Sequence, residues 1–181
     1  APMPTFFLPN FLGIVFALTL EKFSFENFLA KLIHDKAHRF GLLGLGVFAI
    51  ANANSYLAGS VVLARIEYNV KLPNLYADTS KGDETKAILF NCVQRGHQNF
   101  LESFPQLILA VLFTAFVAER PNVAGFMLLI VSICRIFYAV GYKSNITSRM
   151  GGQLVAIFTM SIGIGYGFLV GATIFGIQLL D

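Results

Sequence analysis

The chain has 181 residues, of which 56% are apolar and 13% are charged, and its mean hydropathy is +0.68. This composition excludes disordered, collagen-like, coiled-coil and disulfide-rich secreted proteins, and the long uncharged stretches indicate an integral membrane protein. The net charge is only +3 and no basic cluster is present, so the chain has too little positive charge to bind the phosphates of a nucleic-acid partner. We therefore expect an all-α protein that contacts membrane lipid.

Residues 1–39 form an N-terminal extension that differs from the rest of the chain. An apolar run from Phe6 to Leu20 is interrupted by Pro9 and Asn10, and it is too short to be a membrane span. Residues 21–39 mix phenylalanine and leucine with charged residues. This pattern is typical of a helix at the membrane interface, and equally of a segment that docks on a partner protein. Both interpretations remain open.

The remaining residues, 40–181, contain four segments long enough to cross a bilayer of roughly 30 Å at about 1.5 Å per helical residue. We expect Pro105 to kink the second segment and Pro121 to begin the third. The polar residues 65–86 between the first two segments are predicted to form a loop. The sequence thus predicts an integral membrane four-helix bundle preceded by the extension. The four segments are 40–64, a second that begins near Lys86 and ends at 118, 121–142 and 150–180.

This order of spans places both termini on one side of the membrane and the 65–86 and 143–149 loops on the other. Lysine and arginine are divided almost evenly between the two sides, so the positive-inside rule does not orient the protein. The sequence leaves open whether the membrane is that of the endoplasmic reticulum, the mitochondrion or the plastid.

Glycines recur every four residues in the last segment, at Gly163, Gly167 and Gly171. Such a series lets two membrane helices approach closely. We expect these glycines to serve helix packing, and no ligand is needed to explain them.

Polar residues at membrane depth in the second span are the strongest functional signal. At 100° per helical residue they lie within about a 100° stripe. Charge inside a membrane marks either a binding site or an internal ion pair, here between Arg95 and Glu102, that only joins helices. His97 points away from the stripe and has no companion metal ligands, so we expect a packing histidine and no metal. The residues of the stripe are Asn91, Arg95, Gln98, Asn99 and Glu102.

The third span repeats this pattern, because Arg135, Tyr138 and Tyr142 share one face. They form either an aromatic belt with a snorkelling arginine or the lining of a pocket for an anionic ligand. Arg149 stands at the expected start of the fourth span, where the helix N-terminus favours an anion and positive charge lowers the pKa of a thiol. With Arg65 at the end of the first span, arginines from all four spans can converge on a polyanionic ligand.

Residues 90–105 (FNCVQRGHQNFLESFP) closely resemble the second-helix signature of the MAPEG superfamily of small membrane glutathione enzymes. They are most similar to the type-3 microsomal glutathione transferases. The similarity continues through Arg65, Pro73 and Tyr76, residues 135–142 (RIFYAVGY) and Arg149, and it spans about residues 40–180.

This resemblance implies a homotrimer of four-helix subunits that binds glutathione between neighbouring subunits. It implies that Arg149 stabilises the glutathione thiolate, and that other residues hold the carboxylates and the amine or pack alongside. The residues that it assigns to glutathione binding are Arg65, Arg95, Asn99, Glu102, Tyr138 and Tyr142.

The leading functional hypothesis is a membrane glutathione transferase, with or without peroxidase activity, that acts on lipophilic electrophiles or lipid hydroperoxides. Ile66 and Ser103 replace an arginine and a tyrosine of the leukotriene-forming branch, which argues against that substrate. The alternative is a non-catalytic accessory subunit that docks into a larger organellar membrane complex through residues 1–39. A pigment-binding antenna is a weak third hypothesis, because no regular set of intramembrane histidines is present.

Overall fold

The computed structural model describes residues 7–32, 40–80 and 82–144, and in the last segment residues 157, 161, 163–165, 167, 168 and 172. These residues contain helices and no strand, which confirms the all-α prediction. Among these described residues, three stretches are long and apolar enough to cross a membrane, namely Gly41–Glu67, Glu84–Val117 and Pro121–Gly141. Most of the predicted fourth span, 150–180, lies outside the described residues. The helices are α1 (Phe7–Lys22), α2 (Phe25–Leu32), α3 (Gly41–Glu67), α4 (Glu84–Leu112) and α5 (Pro121–Ser144), with a π-helical segment, Phe113–Val117, after α4.

The spanning helices α3 and α5 cross at a point where both have glycine. A Cβ atom added to Gly125 of α5 would lie 2.4 Å from the carbonyl oxygen of Leu42, and one added to Gly46 of α3 would lie 2.6 Å from the carbonyl oxygen of Gly125. The two backbones therefore touch directly. Below this crossing, buried residues of α3, α4 and α5, including Leu57, Phe100 and Leu128, form the main hydrophobic cluster.

Helix α4 begins two residues before the predicted start at Lys86. The cause is Asp83, whose carboxylate accepts a hydrogen bond from the Lys86 backbone N–H at 3.2 Å and so caps the helix. Pro105 lies inside α4. The helical pattern changes at Phe113, whose carbonyl accepts from the N–H of Ala118, five residues later.

The α3–α4 loop contains no strand among its described residues, 68–80, 82 and 83, as predicted. Asn91 of α4 binds the backbone of this loop through two hydrogen bonds. The Ala77 N–H donates to Asn91 Oδ1 at 2.8 Å, and Asn91 Nδ2 donates to the Ala77 carbonyl at 3.0 Å. Arg65 Nη1 donates to the carbonyl of Asn74 at 2.8 Å. These bonds lay residues 74–77 against the first turns of α4.

The described part of the N-terminal extension packs on its own chain through two carboxylates. Arg120 donates from Nε and Nη2 to the two carboxylate oxygens of Glu21, each at 2.7 Å. Glu26 accepts from the backbone N–H groups of Asn122 and Val123, at 3.3 and 3.0 Å, and from Asn122 Nδ2 at 2.8 Å. Since the first N–H groups of a helix have no partner within it, Glu26 caps α5 from a distant part of the chain. Docking of this extension on another protein stays a prediction.

Replacing Glu26 by alanine should therefore uncap α5 and lower the free energy of unfolding by about 1–2 kcal/mol. The change appears as a lower thermal midpoint in detergent. Asn27→Ala, at the exposed neighbouring position, is the matched control and should melt like the wild type. If Glu26→Ala also melts like the wild type, the carboxylate does not stabilise α5.

The glycines of the last segment serve packing where they are described. A Cβ atom added to Gly163 would lie 2.6 Å from Ala110 Cβ, and one added to Gly167 would contact the Phe113 ring at 3.8 Å. These contacts confirm the packing interpretation at Gly163, while Gly171 lies outside the described residues. Gly165, which is not part of the predicted series, instead approaches α1, where an added Cβ would lie 2.6 Å from the carbonyl oxygen of Gly13.

Candidate site on the polar face of α4

The charged part of the polar stripe lies on the open surface of α4. Arg95 Nη1 and Glu102 Oε1 are 3.0 Å apart, and the two side chains are 43% and 51% exposed. The ion pair considered from the sequence is therefore present. Because both residues belong to the same helix and are about half exposed, the pair does not join two described helices.

The next polar position, Asn99, connects the stripe to α5. Its Nδ2 donates to the hydroxyl oxygen of Tyr138, which is buried. Asn99 lies one turn from Arg95 and about one turn from Glu102, so an amide, a phenol and an ion pair meet along one edge of α4. The structure thus brings together four of the predicted site residues.

Arg135 has a different environment from the one that the aromatic-belt alternative required. Its side chain is only 2% exposed, and its guanidinium donates to Ser103 Oγ at 2.6 Å and lies 5.9 Å from the centre of the Phe100 ring. The snorkelling interpretation of Arg135 is wrong, because a snorkelling arginine keeps its charged group in water. Arg135 instead places a cation inside the bundle, beside the Asn99–Tyr138 contact.

Arg65 lies nearer the loop end of α4 than the stripe does. Its guanidinium stacks on the Phe90 ring, 5.2 Å from the ring centre, and donates to the Asn74 carbonyl. Phe90 precedes Arg95 by five residues, which is about 7.5 Å along the helix. The described contacts of Arg65 are therefore with the loop and α4, and its contact with glutathione stays a prediction.

Two predicted site residues cannot be placed by their side chains. Tyr142 belongs to α5, one turn after Tyr138, but its side chain lies outside the described residues. Arg149 lies entirely outside them. Their predicted roles in glutathione binding and thiolate stabilisation remain predictions.

The structure adds Tyr76 to the predicted polar groups. Its hydroxyl donates to Gln98 Oε1, and the same side chain interacts with the Arg95 guanidinium. The resemblance included Tyr76, but spacing along the chain could not connect it to a residue 22 positions away. A phenol from the loop therefore joins the stripe.

These groups suit a ligand that carries both negative and positive charges. A guanidinium pairs with a carboxylate, a carboxylate pairs with an amine, and the amide and the phenols add directional hydrogen bonds. Within residues 7–32, 40–80 and 82–144 and the described positions beyond them, no group of three or more His, Cys, Asp or Glu residues could hold a metal ion.

A comparison with known protein families matches residues 43–170 to the MAPEG family. The match covers more than half of the chain and includes every residue of the predicted site. It begins after the N-terminal extension. Together with the three apolar helices, it makes the chain an integral membrane protein of helical fold. The chain belongs to the MAPEG family.

Proposed function

We propose that the protein is a membrane glutathione transferase, active also as a peroxidase, most similar to the type-3 microsomal enzymes. The observation that carries this proposal is the half-exposed Arg95–Glu102 pair on a helix that crosses the membrane. Two charges facing hydrocarbon are costly, so this face needs a polar cover. Family membership and the mixed charge of the face both support glutathione as its ligand.

The cover that we propose is a second copy of the chain, in a homotrimer. Each subunit presents the same stripe, so a closed ring of three copies shields all three stripes and forms three equal sites. The described part of the N-terminal extension contacts α5 and the last segment, while Arg95 and Glu102 remain exposed. The extension is therefore compatible with such a ring.

In each site Arg95 would pair with a glutathione carboxylate and Glu102 with the amine. Asn99 and Tyr138 would donate and accept hydrogen bonds at the α4–α5 edge. Arg65 and Tyr142 would contribute from the loop end of the bundle. These assignments rest on the resemblance, on the described contacts of Asn99 and Tyr138, and on the charges of the stripe.

The chemistry needs no covalent bond to the protein. The thiol releases its proton to water, and Arg149, assigned from the sequence alone, stabilises the thiolate. The sulfur then forms a bond to the electrophilic carbon, and the leaving group departs with its electron pair. With a lipid hydroperoxide, two glutathione molecules are oxidised to the disulfide, and the hydroperoxide is reduced to the alcohol and water. Positioning of the two substrates supplies the rest of the rate increase.

The test is the near-ultraviolet absorbance of the thiolate. Glutathione added to the purified protein should raise this absorbance, and Arg149→Ala should abolish the increase. S-methylglutathione has no thiol proton to lose, so it is the matched control and should give no signal. A wild-type protein whose spectrum does not change with glutathione contradicts the enzymatic proposal.

The second candidate is a non-catalytic accessory subunit of a larger organellar membrane complex. It is favoured by exposed aromatic side chains on the extension, since Phe23 is 75% and Phe28 56% exposed. This candidate predicts a single copy that co-purifies with a large assembly, whereas the enzyme predicts a homotrimer. Native gels in mild detergent distinguish the two. An endoplasmic reticulum, mitochondrial or plastid membrane is compatible with both.

A further inference from the structure

The α3–α4 loop is held beside the polar stripe by hydrogen bonds to its backbone. The side chains of the loop take no part in these bonds. Asn91 makes two hydrogen bonds to the backbone of Ala77, and Arg65 makes one to the carbonyl of Asn74. A paired amide bridge of this kind fixes both the position and the direction of the chain at residue 77. Tyr76, the preceding residue, is therefore held over α4.

The Tyr76 side chain reaches two members of the stripe on adjacent turns. Its hydroxyl donates to Gln98 Oε1, and the side chain interacts with the Arg95 guanidinium. The residue is 37% exposed, so part of its side chain is accessible to solvent. The phenol thus binds the Gln98 amide and lies near the cation of the site, three residues earlier on the same helix.

The chemistry of a phenol explains what this arrangement achieves. A tyrosine hydroxyl donates one hydrogen bond and accepts others through its oxygen. With its proton directed to Gln98, the oxygen is left to face the donors of Arg95. Arg95 is paired with Glu102 at 3.0 Å, and the Tyr76 oxygen adds a partial negative charge near its guanidinium. A flexible arginine that is already held in place loses less freedom when a carboxylate binds.

We propose that Tyr76 is a positioning residue of the glutathione site, which orients Arg95 for the glutathione carboxylate. This inference rests on the proposed function. The α3–α4 loop is then part of the binding site, and Arg65 and Asn91 hold that loop in place. The phenol itself takes no part in proton transfer or in the attack by sulfur.

The test compares Tyr76→Phe with the wild type in glutathione binding and in conjugation. The substitution removes the hydroxyl and keeps the ring, and the backbone bonds at Ala77 and Asn74 remain. We expect the Kd for glutathione to rise about tenfold, or about 1.4 kcal/mol, because an Arg95 side chain that is less well positioned loses more freedom when the carboxylate binds. The KM for glutathione should rise in parallel, with kcat changed by less than about twofold, because the transition state at sulfur is unaffected.

Tyr68→Phe is the matched control. It also removes a tyrosine hydroxyl from the loop, but that hydroxyl interacts with Glu67 and not with the stripe. It should leave the Kd unchanged. A purely structural role for Tyr76 would lower the melting temperature together with affinity, whereas positioning leaves the melting temperature of Tyr76→Phe within error of the wild type. Asn91→Ala, which releases the loop, should weaken binding and should not be weakened further by adding Tyr76→Phe.

The outcomes separate this inference from the proposed function. A wild type that binds glutathione, with a Tyr76→Phe variant of equal affinity, overturns the role of Tyr76 and leaves the proposed function standing. Loss of affinity accompanied by an equal fall in kcat and in melting temperature overturns it as well. A wild type that binds no glutathione overturns both proposals.

Discussion

Replacing Gly125 by alanine is expected to lower the free energy of unfolding by about 2–3 kcal/mol, because it overpacks the α3–α5 crossing. The added Cβ would lie 2.4 Å from the backbone carbonyl of Leu42, and a backbone cannot rotate away as a side chain can. The helices must move apart, and the contacts below the crossing loosen with them. Thermal or SDS-induced unfolding of the purified protein measures this change.

The matched control for this experiment is Gly44→Ala, a change of the same kind in α3. No heavy atom lies within 4 Å of a Cβ added at Gly44. Alanine is the better helix former by about 1 kcal/mol, so this variant should be at least as stable as the wild type. A Gly125→Ala variant that is as stable as Gly44→Ala would show that α3 and α5 do not cross at this point.

Replacing Arg95 by glutamine should weaken glutathione binding by at least a hundredfold, which corresponds to about 3 kcal/mol and lies within the range for breaking a desolvated charge pair. The change removes the cation that pairs with the ligand carboxylate and leaves Glu102 without its partner in the same face. Glu102→Gln should have a similar effect through the amine. Equilibrium dialysis with labelled glutathione measures both variants.

The control for the charge itself is Lys86→Gln, which removes a cation from the first turn of the same helix. Lys86 pairs with Asp83 at 3.6 Å, away from the stripe, so its loss should leave glutathione affinity unchanged. If Lys86→Gln and Arg95→Gln weaken binding equally, the ligand responds only to overall charge and the stripe is not its site.

The spanning helices could be predicted from the sequence, because a membrane selects for long uncharged stretches. The predicted segments 40–64 and 121–142 correspond to Gly41–Glu67 and Pro121–Ser144. Their ends were less certain, since caps depend on single side chains. Because Asp83 caps α4, the helix begins at Glu84, two residues before the predicted start. The pattern of apolar residues does not predict the π-helical segment after Leu112.

The packing of the extension could not be predicted, because it depends on contacts between distant parts of the chain. Glu21 and Arg120 are 99 residues apart, and Glu26 and Asn122 are 96 apart. Read along the sequence, these glutamates were only charged residues in an amphipathic stretch. Their partners become apparent only when the end of α1 and the start of α2 pack against residues 120–123 at the start of α5.

Part of the candidate site could be predicted for a clear physical reason. Helical periodicity alone places Arg95, Asn99 and Glu102 on one face, and the structure shows them there. Helical periodicity does not predict the direction in which a long side chain points. Periodicity did not predict that Arg65 stacks on Phe90 and donates to Asn74, or that Tyr76 reaches the stripe from a loop, and the contact of Arg65 with glutathione stays a prediction.

The most direct test of the account is native mass spectrometry of the detergent-solubilised protein with and without glutathione. If a second copy covers the α4 stripe and the ligand binds beneath it, the mass is that of three chains and increases by bound glutathione. The Arg95→Gln protein should keep the three-chain mass and lose the ligand. A single chain in the spectrum, or three chains that never bind glutathione, would contradict the account.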